Sequence, residues 1–199
     1  MATSAAVSPL PADLPDTFSY ARARAAGLSN RRLYAMRDHG LIEPLARGLY
    51  RRMDAPAADL GLIAAAQKAP RATLCLATAL ARHGLSDAIP AANDIALPRG
   101  TRRPAVDSPV QWHWFDPATF DLGRESMDID VGTAIGIYTP ERSIIDAFRT
   151  RGTEGHELGH EALRRWLRRR GSQPGELLEL ARQFPRAATP LRAALEVLL

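Results

Sequence analysis

The sequence predicts a mixed α+β protein: an amino-terminal winged helix-turn-helix, then a domain of antiparallel strands that ends in a helical bundle. Two observations predict this order. The positive charge is concentrated around two short helical segments near the amino terminus, and strand-like alternation in the middle gives way to capped helical segments. The predicted divisions are a flexible tail (1–15), a winged helix-turn-helix (16–54) and an α+β interaction domain (55–199).

Composition excludes several classes of protein. The 199 residues are 24% charged and 46% hydrophobic, as in a globular protein with a core. A single cysteine, Cys75, excludes a disulfide framework and a cysteine-rich zinc module, and it favours a reducing compartment. No apolar run approaches the ~20 residues of a membrane span, and the first residues lack the features of a signal peptide. We therefore expect a cytoplasmic protein with no membrane partner and no cofactor.

The net charge of +4 is unevenly distributed. All but one of the 26 basic residues are arginine, the exception being Lys68. Residues 18–52 hold eight arginines and two acids, a net charge of +6, whereas acids and bases balance over residues 53–199. Such a concentration is typical of a surface that binds phosphates. Charge alone also fits a solvated basic surface.

The pattern of the basic stretch predicts two helices joined by a tight turn. In the Gly27-Leu28-Ser29 break, the glycine can end one helix in the left-handed conformation and Ser29 can cap the next. Before the break, apolar residues recur at helical spacing: Phe18, Ala21, Ala25 and Leu28. The second helix runs from about Asn30 to His39, and Gly40 ends it. It turns Leu33 and Met36 toward the first helix, and its opposite side carries Asn30, Arg31, Tyr34, Arg37 and Asp38.

Two short strands follow the second helix and predict a β-wing. Leu41-Ile42 and Leu49-Tyr50 are the strands, with a turn around Glu43-Pro44 and Arg47-Gly48. A helix of this kind fits the major groove of double-stranded DNA, and a wing places arginines along the backbone or minor groove. We expect base contacts from Asn30, Arg31, Tyr34 and Arg37, and phosphate or minor-groove contacts from Arg47, Arg51 and Arg52. On this basis Arg51→Ala should weaken binding to all sequences. The alternative is a small helical subdomain that binds protein.

The stretch GLSNRRLYAMRDHGLIEPLARGLYRR resembles the winged-helix start of AbiEi-type antitoxins, in its Gly-Leu-Ser turn and its Arg-Gly-Leu-Tyr wing. The resemblance implies a DNA-binding antitoxin of a type IV toxin–antitoxin system that represses transcription of its own operon. It also implies a nucleotidyltransferase-like toxin as functional partner. Direct contact with that toxin and homodimerisation on operator DNA stay open, as does a stand-alone winged-helix regulator without a toxin.

Beyond a linker at residues 53–56, the pattern predicts two packed helices and three strands. The helices are apolar and alanine-rich, at residues 58–68 and 73–83; the strands are at 94–97, 110–115 and 129–138. In the second strand Val110, Trp112 and Trp114 alternate with polar residues, as in a half-buried strand. The basic turn at residues 99–104 fits either a solvated loop or a phosphate contact.

Thr139-Pro140-Glu141 combines three signals of a helix start: a capping hydroxyl, a proline at the first helical position and an acid in the first turn. Ile144, Ile145 and Phe148 supply its buried face, and Gly152 ends it. One helix follows through Trp166, another spans about Pro174 to Gln183, and Thr189-Pro190 opens the last.

The strand-to-helix junction IYTPERSIID, residues 137–146, also resembles AbiEi-type proteins, as do the later helices EALRRWL and ELLELARQF. Arg142 and Asp146 lie one helical turn apart, which predicts an ion pair within the helix rather than a catalytic role.

The sequence His156-Glu157-Leu158-Gly159-His160 matches HExxH, which places two zinc ligands and a base on one helix of many peptidases. Gly152 and Gly155 place this match at a helix start, and no histidine follows as a third ligand. We therefore interpret His156 and His160 as a chance match to the motif and not as metal ligands. A zinc metallopeptidase is the unfavoured alternative. Cys75 lies in an apolar segment and is expected in the core. The acidic residues Asp128 and Asp130 are expected on a strand face that meets water, without the lysine that a nuclease site needs. We predict no catalytic residues, no metal site and no enzymatic activity.

Overall fold

A computed structural model of the chain describes residues 9–150 and 153–199, except for the side chains of residues 153–156. The chain is mixed α+β and forms two compact units. Unit 1 contains the residues up to Pro70 together with 104–108 and 128–134; unit 2 contains 71–103, 109–127 and 135–199. This division differs from the predicted boundary after residue 54, because the helix that follows residue 54 packs within unit 1.

The described residues of unit 1 form a three-stranded antiparallel sheet and three helices. In chain order they are β1 (Thr17–Ser19), α1 (Tyr20–Ala25), α2 (Asn30–Asp38), β2 (Ile42–Ala46), β3 (Leu49–Arg52) and α3 (Leu60–Lys68). Strand β3 lies between β1 and β2. Apolar side chains from these elements and from the segment before β1 form the core: Leu14, Phe18, Ala23, Leu28, Leu33, Met36 and Ile42.

The start of unit 1 differs from the prediction in two ways. Phe18 lies in β1 rather than in a helix, because Ser19 is extended and its hydroxyl caps α1 by accepting a hydrogen bond from the Arg22 amide. Ala21 and Ala25 are consequently exposed. Residues 9–15 are not a free tail, since Leu14 is only 3% exposed in the core. The rest of the predicted tail, residues 1–8, lies outside the described residues.

Helix α3 attaches two later segments of the chain to unit 1. The Lys68 ammonium donates to the Ala105 carbonyl at 2.8 Å, and the Gln67 amide donates to the Thr133 hydroxyl at 3.2 Å. A Cβ at Gly61 would lie 2.7 Å from the Cβ of Ser108, so glycine permits this close approach. Residues far apart in sequence therefore complete unit 1.

The remaining elements belong wholly or mainly to unit 2. The strands are β4 (Thr73–Leu74), β5 (Asn93–Pro98), β6 (Val110–Phe115), β7 (Arg124–Asp130) and β8 (Thr133–Tyr138), in the sheet order β6-β5-β4-β8-β7. The helices are α4 (Leu76–Arg82), α5 (Pro140–Arg149), α6 (Thr153–Leu167), α7 (Pro174–Ala181) and α8 (Pro185–Leu198). Helices α4 to α8 share one apolar core around Ile144, Leu163, Trp166, Leu177 and Leu191.

The sheet is mixed, so the prediction of antiparallel strands is wrong. Strands β5 and β6 pair in parallel, as do β4 and β8, whereas β4 and β5 are antiparallel. Residues 99–109, which contain no helix or strand, connect the parallel strands β5 and β6.

Three local predictions beyond residue 72 also fail. The predicted strand 129–138 is two strands with a turn at residues 131–132, where Gly132 has a positive φ of 72°. The segment that begins at Thr73 is a strand before it becomes α4. Trp112 is 5% exposed as expected, but Trp114 is 41% exposed and donates its indole N–H to the Thr101 carbonyl at 3.0 Å.

The helical bundle begins as predicted and ends differently. The Thr139 hydroxyl accepts a hydrogen bond from the Arg142 amide, and Pro140 opens α5. The final helix begins at Pro185 rather than at Thr189, so Pro190 lies inside it. Proline at the first helical position is favourable, and it is this earlier proline that fills the role.

The predicted ion pair of Arg142 with Asp146 is confirmed, and it lies in the core of unit 2. Both side chains are 0% exposed, and the Arg142 Nε lies 3.1 Å from each carboxylate oxygen of Asp146. The Nη1 group of Arg142 donates to the carbonyls of Thr119 and Leu122 at 2.8 and 2.6 Å. The guanidinium lies 4.2 Å from the ring centre of Tyr138. This arginine therefore joins α5 to the segment before β7.

Burial of Cys75 gives a prediction about its reactivity. The side chain is fully buried, and burial raises the pKa of its thiol well above the ordinary value. Because the thiolate is the reactive form, we expect native protein not to react with Ellman's reagent, and the thiol to titrate stoichiometrically in guanidinium chloride. Rapid reaction of native protein would contradict the buried position.

Candidate nucleic-acid interface

Helix α2 is delimited by two glycine turns and a serine cap. At the first turn, Gly27 has a φ of +80° and the Leu28 amide donates to the Ala23 carbonyl at 3.0 Å, which closes α1. The Ser29 hydroxyl then accepts from the Arg32 amide at 3.2 Å and caps α2. Gly40 repeats the left-handed turn at the other end. The predicted extent of this helix is confirmed.

The two sides of α2 differ sharply in burial. Leu33 and Met36 are 2% and 0% exposed and face the core of unit 1, as predicted. All four residues predicted to contact bases lie on the surface: Asn30, Arg31, Tyr34 and Arg37. The structure therefore presents them together on one helix.

Neighbouring side chains hold two of these residues in place. The Tyr20 hydroxyl donates to the Asn30 side-chain oxygen at 2.5 Å, which leaves the Asn30 amide nitrogen as a donor toward a ligand. Arg37 donates to Asp38 at 2.8 and 3.0 Å and lies 5.1 Å from the ring centre of Tyr34. The hydrogen bond to Asp38 raises the pKa of Arg37. Sequence patterns did not indicate Tyr20, because its partner lies across the turn between the helices.

The hairpin after α2 has its tip at Arg47-Gly48, where Gly48 has a φ of +74° and Arg47 is exposed. The predicted turn at Glu43-Pro44 is wrong, since both residues lie within β2 and pair with β3. The register shifts between Pro44 and Ala46, which gives β2 an irregularity beside the tip. The tip of the hairpin therefore presents an exposed basic side chain.

Arg52 is half-buried and forms an ion pair with a neighbouring acid, Asp54. Its Nε and Nη2 groups donate to the two carboxylate oxygens of Asp54 at 2.9 and 2.8 Å. This hydrogen bonding lowers the pKa of Asp54. Asp54 therefore offsets the charge that Arg52 would otherwise present to a phosphate.

Arg51 corrects the prediction of a surface contact. The residue is 3% exposed, and its Nη1 group donates to the Thr17 hydroxyl at 2.8 Å and to the Asp130 carboxylate at 2.6 Å. Its Nη2 group donates to the Pro56 carbonyl at 2.5 Å. Asp130, expected to meet water, is the buried partner, with a side chain 6% exposed. Because β3 alternates its faces, Arg51 points inward where the sequence pattern suggested only a basic strand.

Arg31 and Arg47 are the exposed predicted cations with the fewest constraints. Within residues 9–150 and 153–199, neither forms an ion pair. Arg24 and Arg32 instead donate to the carbonyls of Leu28 and Pro9. Some arginines of the basic stretch therefore make hydrogen bonds within the protein, whereas Arg31 and Arg47 are exposed to solvent.

The HExxH match lies near the start of α6, as expected. The side chain of His156 lies outside the described residues. His160 packs edge-on against Phe148, with ring centres 5.2 Å apart. Among the described residues, no group of three or more potential ligands is placed to hold a metal ion.

Comparison with known proteins identifies the same segment. A family model described as "Transcriptional regulator, AbiEi antitoxin" matches residues 9–52, so the resemblance to AbiEi-type antitoxins is confirmed there. The match ends before the strand-to-helix junction at 137–146. No curated protein matches the sequence. The crystal structure of the RV2827C protein from Mycobacterium tuberculosis is similar at 18% identity and a TM-score of 0.49, over 96% of this chain and 79% of that one.

No helix in the described part of the chain is both long and apolar enough to cross a membrane.

Proposed function

We propose that the protein is a non-enzymatic, DNA-binding transcriptional regulator of the AbiEi antitoxin type. Unit 1 acts as a winged helix-turn-helix in which α2 enters the major groove and the β2–β3 hairpin is the wing. The observation that carries the proposal is the exposed polar face of α2, which is held by glycine turns and backed by an apolar core. The family match over residues 9–52 supports it.

The side chains on α2 suit recognition of base edges. Arginine binds guanine through two hydrogen bonds, and asparagine binds adenine in the same way. Arg31 is free of ion pairs within the described residues, and Asn30 is oriented by Tyr20 with its amide nitrogen available. Tyr34 offers an apolar ring edge for a thymine methyl group. Arg47 at the hairpin tip is then the candidate for the backbone or minor groove.

The proposal includes a role in a type IV toxin–antitoxin system. The protein would repress transcription of its own operon in the cytoplasm and counteract a nucleotidyltransferase-like toxin. A nucleotidyltransferase-like reading frame beside this one, with a product whose toxicity is relieved by co-expression of this protein, would support that role. Operator binding without such a neighbour would favour the stand-alone regulator.

Arg31→Ala and Arg47→Ala test the division of labour between helix and hairpin. For Arg31→Ala we expect the binding free energy to weaken by ~1–3 kcal/mol for a DNA duplex taken from upstream of the protein's own reading frame. The loss should be smaller for a duplex of shuffled sequence. For Arg47→Ala we expect equal losses of binding affinity for both duplexes. The slope of log affinity against log salt concentration should fall by the amount expected for about one phosphate contact. Fluorescence anisotropy over a series of salt concentrations measures both.

The matched control is Arg164→Ala, which removes one exposed arginine from α6 in unit 2. It should bind both duplexes like the parent protein. Equal losses for Arg31→Ala on specific and shuffled DNA would contradict base recognition by α2. No salt-dependent binding to any duplex would favour the protein-interaction alternative.

Metal content separates the regulator from the zinc peptidase. We expect purified protein to carry far less than one zinc per chain, unchanged by His156→Ala. Stoichiometric zinc that is lost in His156→Ala would instead support a metal site. Elemental analysis of extensively dialysed protein gives the answer.

A further inference from the structure

Unit 2 contains a concave site that the proposed function does not use. A cavity of about 570 Å³ opens between the end of β6, the end of α5 and the start of α8. Its volume lies within the range of small-molecule pockets, ~300–1,000 Å³. The described residues that line it all belong to unit 2, and none of them belongs to the candidate nucleic-acid interface.

The charge in this cavity is predominantly positive. Among its described lining residues, three are arginines, Arg99, Arg149 and Arg186, and one is an acid, Asp116. Arg99 and Arg186 are exposed, and within the described residues neither forms an ion pair. Arg149 lies 4.3 Å from the ring centre of Phe115 and 3.1 Å from the Asp146 carboxylate, which fixes its guanidinium at the wall. Three guanidinium groups around one cavity are suited to a phosphate.

An aromatic surface lies beside these charges. Trp114 lines the cavity and is 41% exposed, although it sits in a strand whose other tryptophan is buried. Its indole N–H donates to the Thr101 carbonyl at 3.0 Å, so the ring is oriented while one part of it meets solvent. An ordered, accessible indole is a platform on which a planar base can stack.

Asp116 supplies the remaining type of contact. Its Oδ1 accepts a hydrogen bond from the Ala118 amide at 3.0 Å, so the carboxylate is oriented while the residue stays exposed. Carboxylates commonly accept hydrogen bonds from ribose hydroxyls. The cavity therefore combines groups suited to a phosphate, a base and a sugar.

We propose that this cavity of unit 2 binds a small nucleoside phosphate, with Arg99 and Arg186 on the phosphate and Trp114 stacked on the base. The site is independent of the proposed DNA-binding function, because its residues lie on other elements. An acidic peptide would use the arginines but would not require a base next to the indole, so the free nucleotide uses more of the observed groups.

The test is a titration of the full chain with adenosine 5′-monophosphate, followed by tryptophan fluorescence and by calorimetry. Trp112 and Trp166 are buried, so a saturable fluorescence change that disappears in Trp114→Phe reports on the cavity. We expect Arg99→Gln and Arg186→Gln each to weaken binding about tenfold or more, since each removes a charged hydrogen-bond donor. Arg164→Gln, the matched exposed arginine outside the cavity, should leave the affinity unchanged.

Adenosine and inorganic phosphate should each bind at least tenfold more weakly than the nucleotide. Inorganic phosphate or an aspartate-rich peptide that binds as tightly as the nucleotide would overturn the assignment. So would the absence of saturable binding at millimolar nucleotide, or an unchanged affinity in Arg186→Gln. Both arginine variants should bind duplex DNA like the parent protein; a parallel loss of DNA affinity would instead make this face a DNA contact.

Discussion

Asp146→Ala is expected to lower the free energy of unfolding of unit 2 by about 3–5 kcal/mol, as when one partner of a buried ion pair is removed. The variant leaves the Arg142 guanidinium in the core without its carboxylate, and both side chains are 0% exposed. The Nη2 atom of Arg142 already has no hydrogen-bond partner within the described residues, and the variant leaves Nε without one as well.

The control for Asp146→Ala is Asp121→Ala, which breaks the exposed ion pair of Asp121 with Arg71 in the same unit. That change should cost no more than about 1 kcal/mol, because water and salt screen an exposed pair. Urea denaturation followed by tryptophan fluorescence and by the accessibility of Cys75 measures both variants. Similar small losses for the two would show that the buried pair contributes no more than an exposed one.

A double variant separates the charge from the packing. Arg142→Met combined with Asp146→Leu removes both charges and keeps apolar volume in the core. Apolar replacements of buried pairs are often neutral or stabilising. We therefore expect the double variant to be more stable than Asp146→Ala. A larger loss in the double variant would point to the carbonyl contacts of Arg142, with Thr119 and Leu122, as the main contribution.

The second large effect is expected for Arg51→Ala, with a loss of about 3–5 kcal/mol in the stability of unit 1. The change leaves the Asp130 carboxylate buried without its cation and removes the donors to Thr17 and Pro56. Arg47→Ala, four residues earlier in the same hairpin, removes an exposed arginine and should change stability by less than ~0.5 kcal/mol. Hydrogen exchange of the α2 amides measures the stability of this unit separately.

The same variant also decides between the two roles of Arg51. At a temperature where Arg51→Ala remains folded, we expect the salt dependence of DNA binding to match that of the parent protein. If the salt dependence of DNA affinity instead fell by the equivalent of one phosphate contact while stability stayed unchanged, Arg51 would contact DNA as the sequence predicted.

Local signals predicted the parts of unit 1 that depend on local chemistry. Glycine turns and a serine cap define α2, and its burial follows from apolar residues spaced at one helical turn. The four predicted base-contacting residues are exposed for the same reason. The inward position of Arg51 could not be predicted in this way, because its carboxylate partner lies 79 residues further along the chain.

In the sheet of unit 2, too, local sequence patterns do not reveal features that depend on residues distant in sequence. Its central strand β4 has only two residues, and a two-residue strand leaves no periodic pattern in the sequence. Its parallel pairing with β8 is set by packing rather than by any nearby turn. The helix starts were better defined, although two prolines, Pro185 and Pro190, competed for the start of α8 and the earlier one opens it.

The division of the chain bears on how the protein is made. Unit 1, which contains α2, includes residues 128–134. The last segment of this unit is therefore synthesised long after its first residues. A nascent chain that ends before residue 130 contains helix α2 but lacks Asp130, the acid that neutralises Arg51. We therefore expect DNA-binding competence to arise late in translation, and a fragment cut at residue 54 to be a poor substitute for the whole chain.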